Sequence, residues 1–247
     1  MARLNGRLAV ITGGAGGIGQ AFAARLAADG ADIAVADIKS AGETRQLVEK
    51  AGSKFFSSVC DISNSKDIAN FANSLLAELG NPDILVNSAG IFPLQTFSEI
   101  TFDDWRRIHA INLDAMFLFA KAFVPAMTER KQGRIVNLTS TVNWLMIPSY
   151  VHYITTKMAV VGFTRGLANE LGAHNITVNA IAPSLVRNST TEASEISGMY
   201  EAIAAQQAIH RTQVPGDLVG TLSFLVSDDA AFITGQTIIV DGGMTKN

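Results

Sequence analysis

Seven short apolar runs, separated by stretches of helical spacing, constrain this chain more than anything else in it. They are "RLAVIT" (7–12), "DIAVAD" (32–37), "KFFSSVCD" (54–61), "DILVN" (83–87), "GRIVNLTS" (133–140), "ITVNAIAP" (176–183) and "TIIVD" (237–241), five to eight residues each. Runs of that length, rich in Val, Ile and Phe and closed by Gly, Asp or Pro, read as strands rather than helices. Helical patterns lie between them, beginning with "QAFAARLAADGA" (20–31) and continuing over about 41–50, 64–79, 102–129 and 150–173. Near-continuous apolar strands alternating with helices imply parallel strands buried on both faces and joined by right-handed crossovers. The expected fold class is α/β, a single-domain doubly wound seven-stranded parallel sheet with helices on both faces.

No linker, repeat or low-complexity tract divides the 247 residues, so one domain spanning 1–247 is expected. One stretch breaks the rhythm. Between Pro183 and Pro215 the chain is first rich in Ser and Thr and then weakly helical, with no strand. An insertion at the carboxyl end of a strand is where such sheets place covers for their ligands, so 184–214 is expected to be a substrate flap.

Charge excludes some functions. With a net charge of −3 and no run of Lys or Arg, the chain has nothing to neutralise a row of phosphates, and nucleic acid is not an expected partner. Charged residues are only 17% of the total, below the usual quarter or so, which points to apolar surface covered by other subunits. One cysteine, Cys60, excludes an intramolecular disulfide and reads as a small buried residue, and the four His show no metal-ligand spacing. "MARLNGRLAVITGG" reaches a strand and a glycine turn too soon for a cleavable leader, and no apolar run of membrane-spanning length is evident. A cytoplasmic protein is expected.

The first strand runs into "TGGAGGIG" (12–19) and then a helix. Gly13 permits a tight turn, while Gly17 and Gly19 let backbone approach a pyrophosphate and helix approach strand. The helix start offers unpaired N–H groups and a partial positive charge. Asp37 closes the second strand, where an acid accepts from a ribose 2′-OH and repels a 2′-phosphate, so NAD is expected over NADP. Lys39 is the basic residue close enough to blur that preference. A phosphate loop of the nucleoside-triphosphatase kind is excluded, because no Gly-Lys-Ser/Thr follows the glycines.

Taken with these, "NSAG" (87–90), Asn112, Ser140 and "YITTK" (153–157) make the chain resemble the short-chain dehydrogenase/reductase family. Thr12, Gly13, Gly17 and Gly19 match its TGxxxGxG, "YITTK" its YxxxK, and the likeness runs through "FITGQTIIVDGG" (232–243). The resemblance implies a Rossmann-type sheet and a catalytic set of Asn112, Ser140, Tyr153 and Lys157. It implies cofactor contacts from Gly13, Gly17, Ile18, Gly19, Asp37, Ile38, Asp61, Ile62, Asn87, Ala89, Gly90, Tyr153, Lys157, Pro183, Leu185 and Val186. Three positions depart from the family pattern: Ser88 in the asparagine motif, and Ser184 and Asn188 in "PSLVRN" (183–188), where the family has Gly and Thr.

The chemistry is legible in the residues themselves. Positions four apart share a helix face, so the Lys157 ammonium can sit beside Tyr153 and lower a phenol pKa of about 10 toward neutrality. Tyr153 would then exchange the alcohol proton while hydride passes to or from the nicotinamide. Ser140 would orient the substrate oxygen, although Thr139 competes for that role and only the thirteen-residue spacing to Tyr153 favours Ser140. The resemblance gives Asn112 a water that relays protons to Lys157, and gives Lys157 the nicotinamide ribose. Tyr150 is expected in the pocket wall and His152 at the surface.

Val142, Trp144, Leu145, Met146, Ile147 and Tyr150 after Ser140, with Leu185, Met199 and Tyr200 in the flap, suggest an apolar substrate pocket anchored by Ser140 and Tyr153. "NLTSTVNWL" and "APSLVRNSTTEAS" resemble the 1-phenylethanol dehydrogenases of the family. The expected reaction is therefore interconversion of a bulky, apolar secondary alcohol and its ketone. An acyl-carrier-protein ketoreductase is the main alternative, disfavoured by Asp37 and by His174, where such enzymes tend to carry Arg. A redox-sensing regulator would be expected to lose Tyr or Lys, and a scaffold subunit its glycine turn; the chain keeps both. The two long helices, 102–129 and 150–173, are expected to pair with symmetry mates, with a second interface at the last helix and strand, in a D2 homotetramer.

Overall fold

The computed structural model describes residues 3–145 and 147–246. Seven parallel strands form one sheet: β1 (Leu8–Thr12), β2 (Asp32–Asp37), β3 (Phe55–Val59), β4 (Ile84–Asn87), β5 (Gly133–Leu138), β6 (Ile176–Pro183) and β7 (Thr237–Val240). Their spatial order is β3-β2-β1-β4-β5-β6-β7. The chain reverses its direction of travel across the sheet between β1 and β4, and a crevice opens outside the carboxyl ends of these strands. β3 and β5 stop two residues short of the apolar runs that contain them, so Asp61 and Ser140 stand beyond strand ends, facing the crevice.

Helices cover both faces. On one, α1 (Gly17–Ala28), α2 (Gly42–Lys50) and α10 (Gly216–Leu225) bury Phe22, Leu26, Val48 and Leu222 against Ile11, Ile33 and Val86. On the other, α3 (Ser65–Glu78), α5 (Ala115–Arg130) and α7 (Val151–Leu171) bury Phe71, Leu75, Phe119, Phe123 and Leu171 against Val10, Leu85 and Ile135. Successive strand residues point to opposite faces, which is why every residue of β1 is buried and why its sequence shows no polar alternation.

The helical pattern at 102–129 resolves into α4 (Phe102–His109), a π-helical turn at Ala110–Asp114, and α5. A π turn in an otherwise regular helix commonly marks a functional position, and Asn112 lies inside this one. The Phe102–Arg130 run is long and apolar enough by composition to cross a membrane, which the sequence reading did not anticipate. In the fold one side of it packs in the core, with Phe119, Phe123 and Met127 fully buried, while Phe102 and Phe117 are exposed. The short α6 (Val142–Leu145) follows β5.

The flap carries α8 (Ser189–Glu192), a 3-10 turn at Glu195–Met199 and α9 (Tyr200–Gln206). It is not entirely free of sheet pairing, since Val186 makes an isolated parallel bridge with Gln213. Gln213 also accepts from Ser184 N (3.0 Å) and donates to Val240 O (2.7 Å), so both bases of the flap are fixed to the end of β7.

Candidate active site

One cavity of about 800 Å³ runs along the carboxyl ends of the strands, with the glycine turn at one end and the flap over the other. The turn is built for close approach. Gly13 has φ +70°, and a Cβ there would lie 2.9 Å from Ala89 Cα; a Cβ on Gly19 would collide with the Gly13 carbonyl oxygen. Gly16 precedes α1 without any side-chain cap, and no acid occupies the first turn. The helix therefore presents unpaired N–H groups and its positive dipole end to an anion. Thr12 Oγ1 accepts from Ser88 N (3.0 Å) and Ala89 N (3.1 Å), joining this turn to the one after β4.

Asp37 stands beside the turn. Its carboxylate accepts from Ala15 N (3.0 Å) and Lys39 N (2.9 Å) at the rim of the cavity. Ile18, Ile38, Asp61, Ile62, Ala89, Gly90, Pro183, Leu185 and Val186 line the same cavity, so most of the cofactor contacts implied by resemblance are brought together. Asn87 is not among the lining residues; its amide donates to Asn137 Oδ1 (2.8 Å), and Asn137 donates to Thr164 (3.0 Å), a buried chain that joins β4, β5 and α7. Asn188 closes over the turn from the flap, 3.5 Å from where a Gly17 Cβ would lie, while capping α8 through Thr190 N and Thr191 N. Arg107 also lines the cavity, a third basic residue beside Lys39 and Lys157, and no local motif announces it.

In the middle of the cavity the Ser140 hydroxyl faces the Tyr153 phenol, and Lys157 lies below, its ammonium 5.7 Å from the Tyr153 ring centre. Lys157 Nζ donates to Leu138 O at 2.9 Å. Thr139 also lines the cavity, but its hydroxyl donates to Lys157 O (2.7 Å), which braces β5 against α7. Asn112 does not line the cavity. Its Oδ1 accepts from Ile91 N (2.8 Å) and its Nδ2 donates to Ile91 O (2.9 Å) and Thr156 Oγ1 (3.2 Å). Both amide hydrogens are thereby used, so the side chain braces the strand-end loop.

Burial dominates the electrostatics of the Tyr153–Lys157 pair. Burial outweighs every other influence on the phenol and raises its pKa above the ordinary value, with Ser140 pulling the other way and Tyr150 adding to the rise. The same burial lowers Lys157 to about 8. Taking either charge out of water costs more than their separation returns.

Tyr150, Val142, Leu145, Ile147, Leu185 and Met199 line the flap end as expected. Trp144 and Tyr200 do not: Trp144 lies on the outside of α6, and Tyr200 is buried within the flap, donating to Thr191 Oγ1 at 2.6 Å. Met146 lies outside the described residues. His152 is fully buried rather than at the surface. Phe92, Ile196, Ile203 and Met244 join the lining without any local motif to announce them. Met244 arrives because the Asp241 carboxylate accepts from the backbone N–H groups of Gly243, Met244 and Thr245, folding the tail inward. Cys60 is buried, as read, and its thiol is pushed up to about 12 by burial and by Asp67 and Asp61.

A doubly wound sheet with an anion-binding glycine turn at its reversal point, and a Ser-Tyr-Lys cluster in the same cavity, defines a dinucleotide-dependent oxidoreductase. The chain belongs to the short-chain dehydrogenase/reductase family: the family model described as enoyl-(acyl carrier protein) reductase matches residues 13–245. It is 35% identical to the L-2,3-butanediol dehydrogenase of Corynebacterium glutamicum, over 98% of this chain and 99% of that one. It is 33% identical to a 3-oxoacyl-[acyl-carrier-protein] reductase of Synechocystis, over 99% of each. A crystal structure of a short-chain type dehydrogenase/reductase from Mycobacterium marinum superposes with a TM-score of 0.91 at 30% identity, over 99% of this chain and 97% of that one.

Proposed function

We propose that this enzyme uses NAD(H) to interconvert a bulky, apolar secondary alcohol and its ketone. The observation that carries the reading is the position of Ser140, Tyr153 and Lys157 between the glycine-turn end and the apolar end of one continuous cavity. A bound nicotinamide supplies the hydride acceptor or donor. The uncapped start of α1 and the Gly13–Gly19 turn hold its pyrophosphate, and Asp37 takes the ribose hydroxyls. The Ser140 hydroxyl donates to the substrate oxygen and fixes its distance from Tyr153. In reduction Tyr153 gives its phenol proton to that oxygen; in oxidation its phenolate takes the proton back, and each turnover exchanges one proton with solvent. Lys157 holds positive charge under the phenol and steadies the phenolate while it exists.

Relatives include a diol dehydrogenase and an acyl-thioester reductase. Asp37 at the rim and the apolar flap lining favour the first kind of chemistry. The second remains a distinct reading, supported by the family model's description and by a Tyr153 raised by burial, which is poised to donate a proton. The test is turnover at 340 nm with NAD and NADP over a panel that includes 1-phenylethanol and a 3-oxoacyl thioester, with Tyr153→Phe alongside. NAD-dependent oxidation of the aryl alcohol, abolished in the variant, is expected. Preference for NADPH with activity confined to the thioester transfers the assignment to the ketoreductase.

Assembly as a homotetramer belongs to the same proposal. Phe117 on α5 and Val151 and Met158 on α7 are exposed apolar residues on the two long helices, and Phe224 and Phe232 on and after α10 mark the second expected interface.

A further inference from the structure

The loop after β4 is tied to the first turn of α7 through one side chain. His152 Nε2 lies 3.1 Å from Gln95 Oε1, in the interior. The Gln95 amide nitrogen points to Asp104 Oδ2, at 3.5 Å, and a carboxylate only accepts. Gln95 Oε1 is therefore left as an acceptor, and His152 must carry its proton on Nε2. Gln95 makes a third link through its backbone, donating from N to Ser149 O at 2.9 Å. Ser149 has φ +64°, a left-handed conformation that a residue with a Cβ adopts only when its surroundings hold it there.

What these links hold is the wall around Tyr153. Three residues before Gln95 is Phe92, whose ring meets Tyr153 edge-on at 6.5 Å between centres. Directly after Ser149 is Tyr150, whose ring lies 5.3 Å from that of Tyr153. A shift of either Gln95 or Ser149 moves one of the two rings that fix where the phenol points. The charged or titratable groups facing His152 are Asp104 and His109, both on α4, and among the described residues Nδ1 has no hydrogen-bond partner. A second ring proton would be buried without an acceptor, so the imidazole stays neutral, a fixed donor to Gln95.

We infer that Gln95 and His152 form a positioning clamp that holds Phe92 and Tyr150 on either side of Tyr153, so that the loop after β4 and the phenol share one geometry. The inference rests on Tyr153 as the proton-exchanging group. Neither residue touches the reacting atoms.

The test compares Gln95→Leu and Gln95→Glu with wild type, using NAD and the best alcohol found, with kcat corrected for the active fraction. Gln95→Leu is expected to lower kcat by roughly tenfold or more, since small misplacements of reacting groups are costly. KM for NAD stays unchanged, because the clamp lies away from the glycine turn. Gln95→Glu keeps the acceptor but sets a second carboxylate beside Asp104. Its activity relative to wild type is expected to fall as pH rises and the proton shared among the two acids and the imidazole is lost. Nitrogen NMR of His152 should show the Nε2–H tautomer in wild type and lose that preference in Gln95→Leu. A kcat for Gln95→Leu within twofold of wild type, a fall matched by weaker NAD binding, or an Nδ1–H tautomer in wild type overturns the clamp. Tyr153→Phe separates the two readings: if it stays active, the functional assignment falls first, whereas an inactive Tyr153→Phe beside an unchanged Gln95→Leu overturns the clamp alone.

Discussion

Replacing Lys157 by Met should reveal a stability term that grows with pH in the wild type. Burial lowers the ammonium from 10.5 to about 8 in the folded chain. Between those values the unfolded chain binds a proton that the folded chain has released, so stability rises with pH through that interval. The full gap of about 2.5 units corresponds to roughly 3 kcal/mol at 1.36 kcal/mol per unit. Two practical limits narrow this. Tyr153 is raised, so above about pH 10 the unfolded chain loses a phenol proton that the folded chain keeps, and stability falls again. Over pH 7.5 to 9.5 the Lys157 contribution comes to about 2 kcal/mol. The assay is urea unfolding of wild type and Lys157→Met at both pH values, followed by far-ultraviolet circular dichroism at fixed protein concentration. The difference between wild type and variant should move in favour of the wild type by that amount as pH rises. A flat difference would show that the ammonium is not desolvated. A movement in the opposite direction would mean that a negative partner raises Lys157, and the electrostatic account of the site would fail.

Two further outcomes follow from the same geometry. Oxidation of the alcohol needs a phenolate, so its kcat/KM should climb close to tenfold per pH unit from pH 6 to 8, while ketone reduction over the same range stays nearly level; parallel pH profiles in the two directions would remove Tyr153 from proton exchange. Gly19→Ala, whose Cβ meets the Gly13 carbonyl, should leave the sheet folded by circular dichroism but weaken NAD binding at least a hundredfold in a fluorescence titration.

The strands could be read from the sequence because strands buried on both faces must be apolar along their whole length, and because glycine and proline punctuate them. Helical spacing places Tyr153 and Lys157 on one face, but it is the glycine turn, "NSAG", Asn112 and Ser140 around them that single the pair out as candidate catalytic residues. Other features depend on partners remote in the chain, and no local pattern carries them. Asn87 looks like a cofactor contact until Asn137 and Thr164, 50 and 77 residues further on, claim it for the interior. His152 sits one residue from Tyr153 and looks like an exposed polar side chain, yet Gln95, 57 residues earlier, gives it a buried partner. The π turn at Asn112 leaves the hydrophobic periodicity of its helix almost untouched, so 102–129 reads as one unbroken helix. Spacing likewise reveals that Lys157 is a neighbour of Tyr153 but says nothing of how completely both groups are withdrawn from water.

That withdrawal bears on the direction in which the chain's own residues are prepared to work. Burial disfavours both charges, raising the phenol and lowering the ammonium, so a pair made of phenolate and ammonium is the arrangement that gains least from the fold. At neutral pH Lys157, at about 8, still holds its proton for most of the time, and Tyr153 holds its own nearly always. The resting site is thus a neutral phenol above a cation, hydrogen-bonded to Ser140. A phenol that keeps its proton can donate it to a carbonyl oxygen that is about to gain negative charge. Oxidation from the same resting state must first remove the phenol proton. Under the proposed function, the expected outcome is faster ketone reduction near neutral pH and faster alcohol oxidation at alkaline pH, with one set of residues serving both.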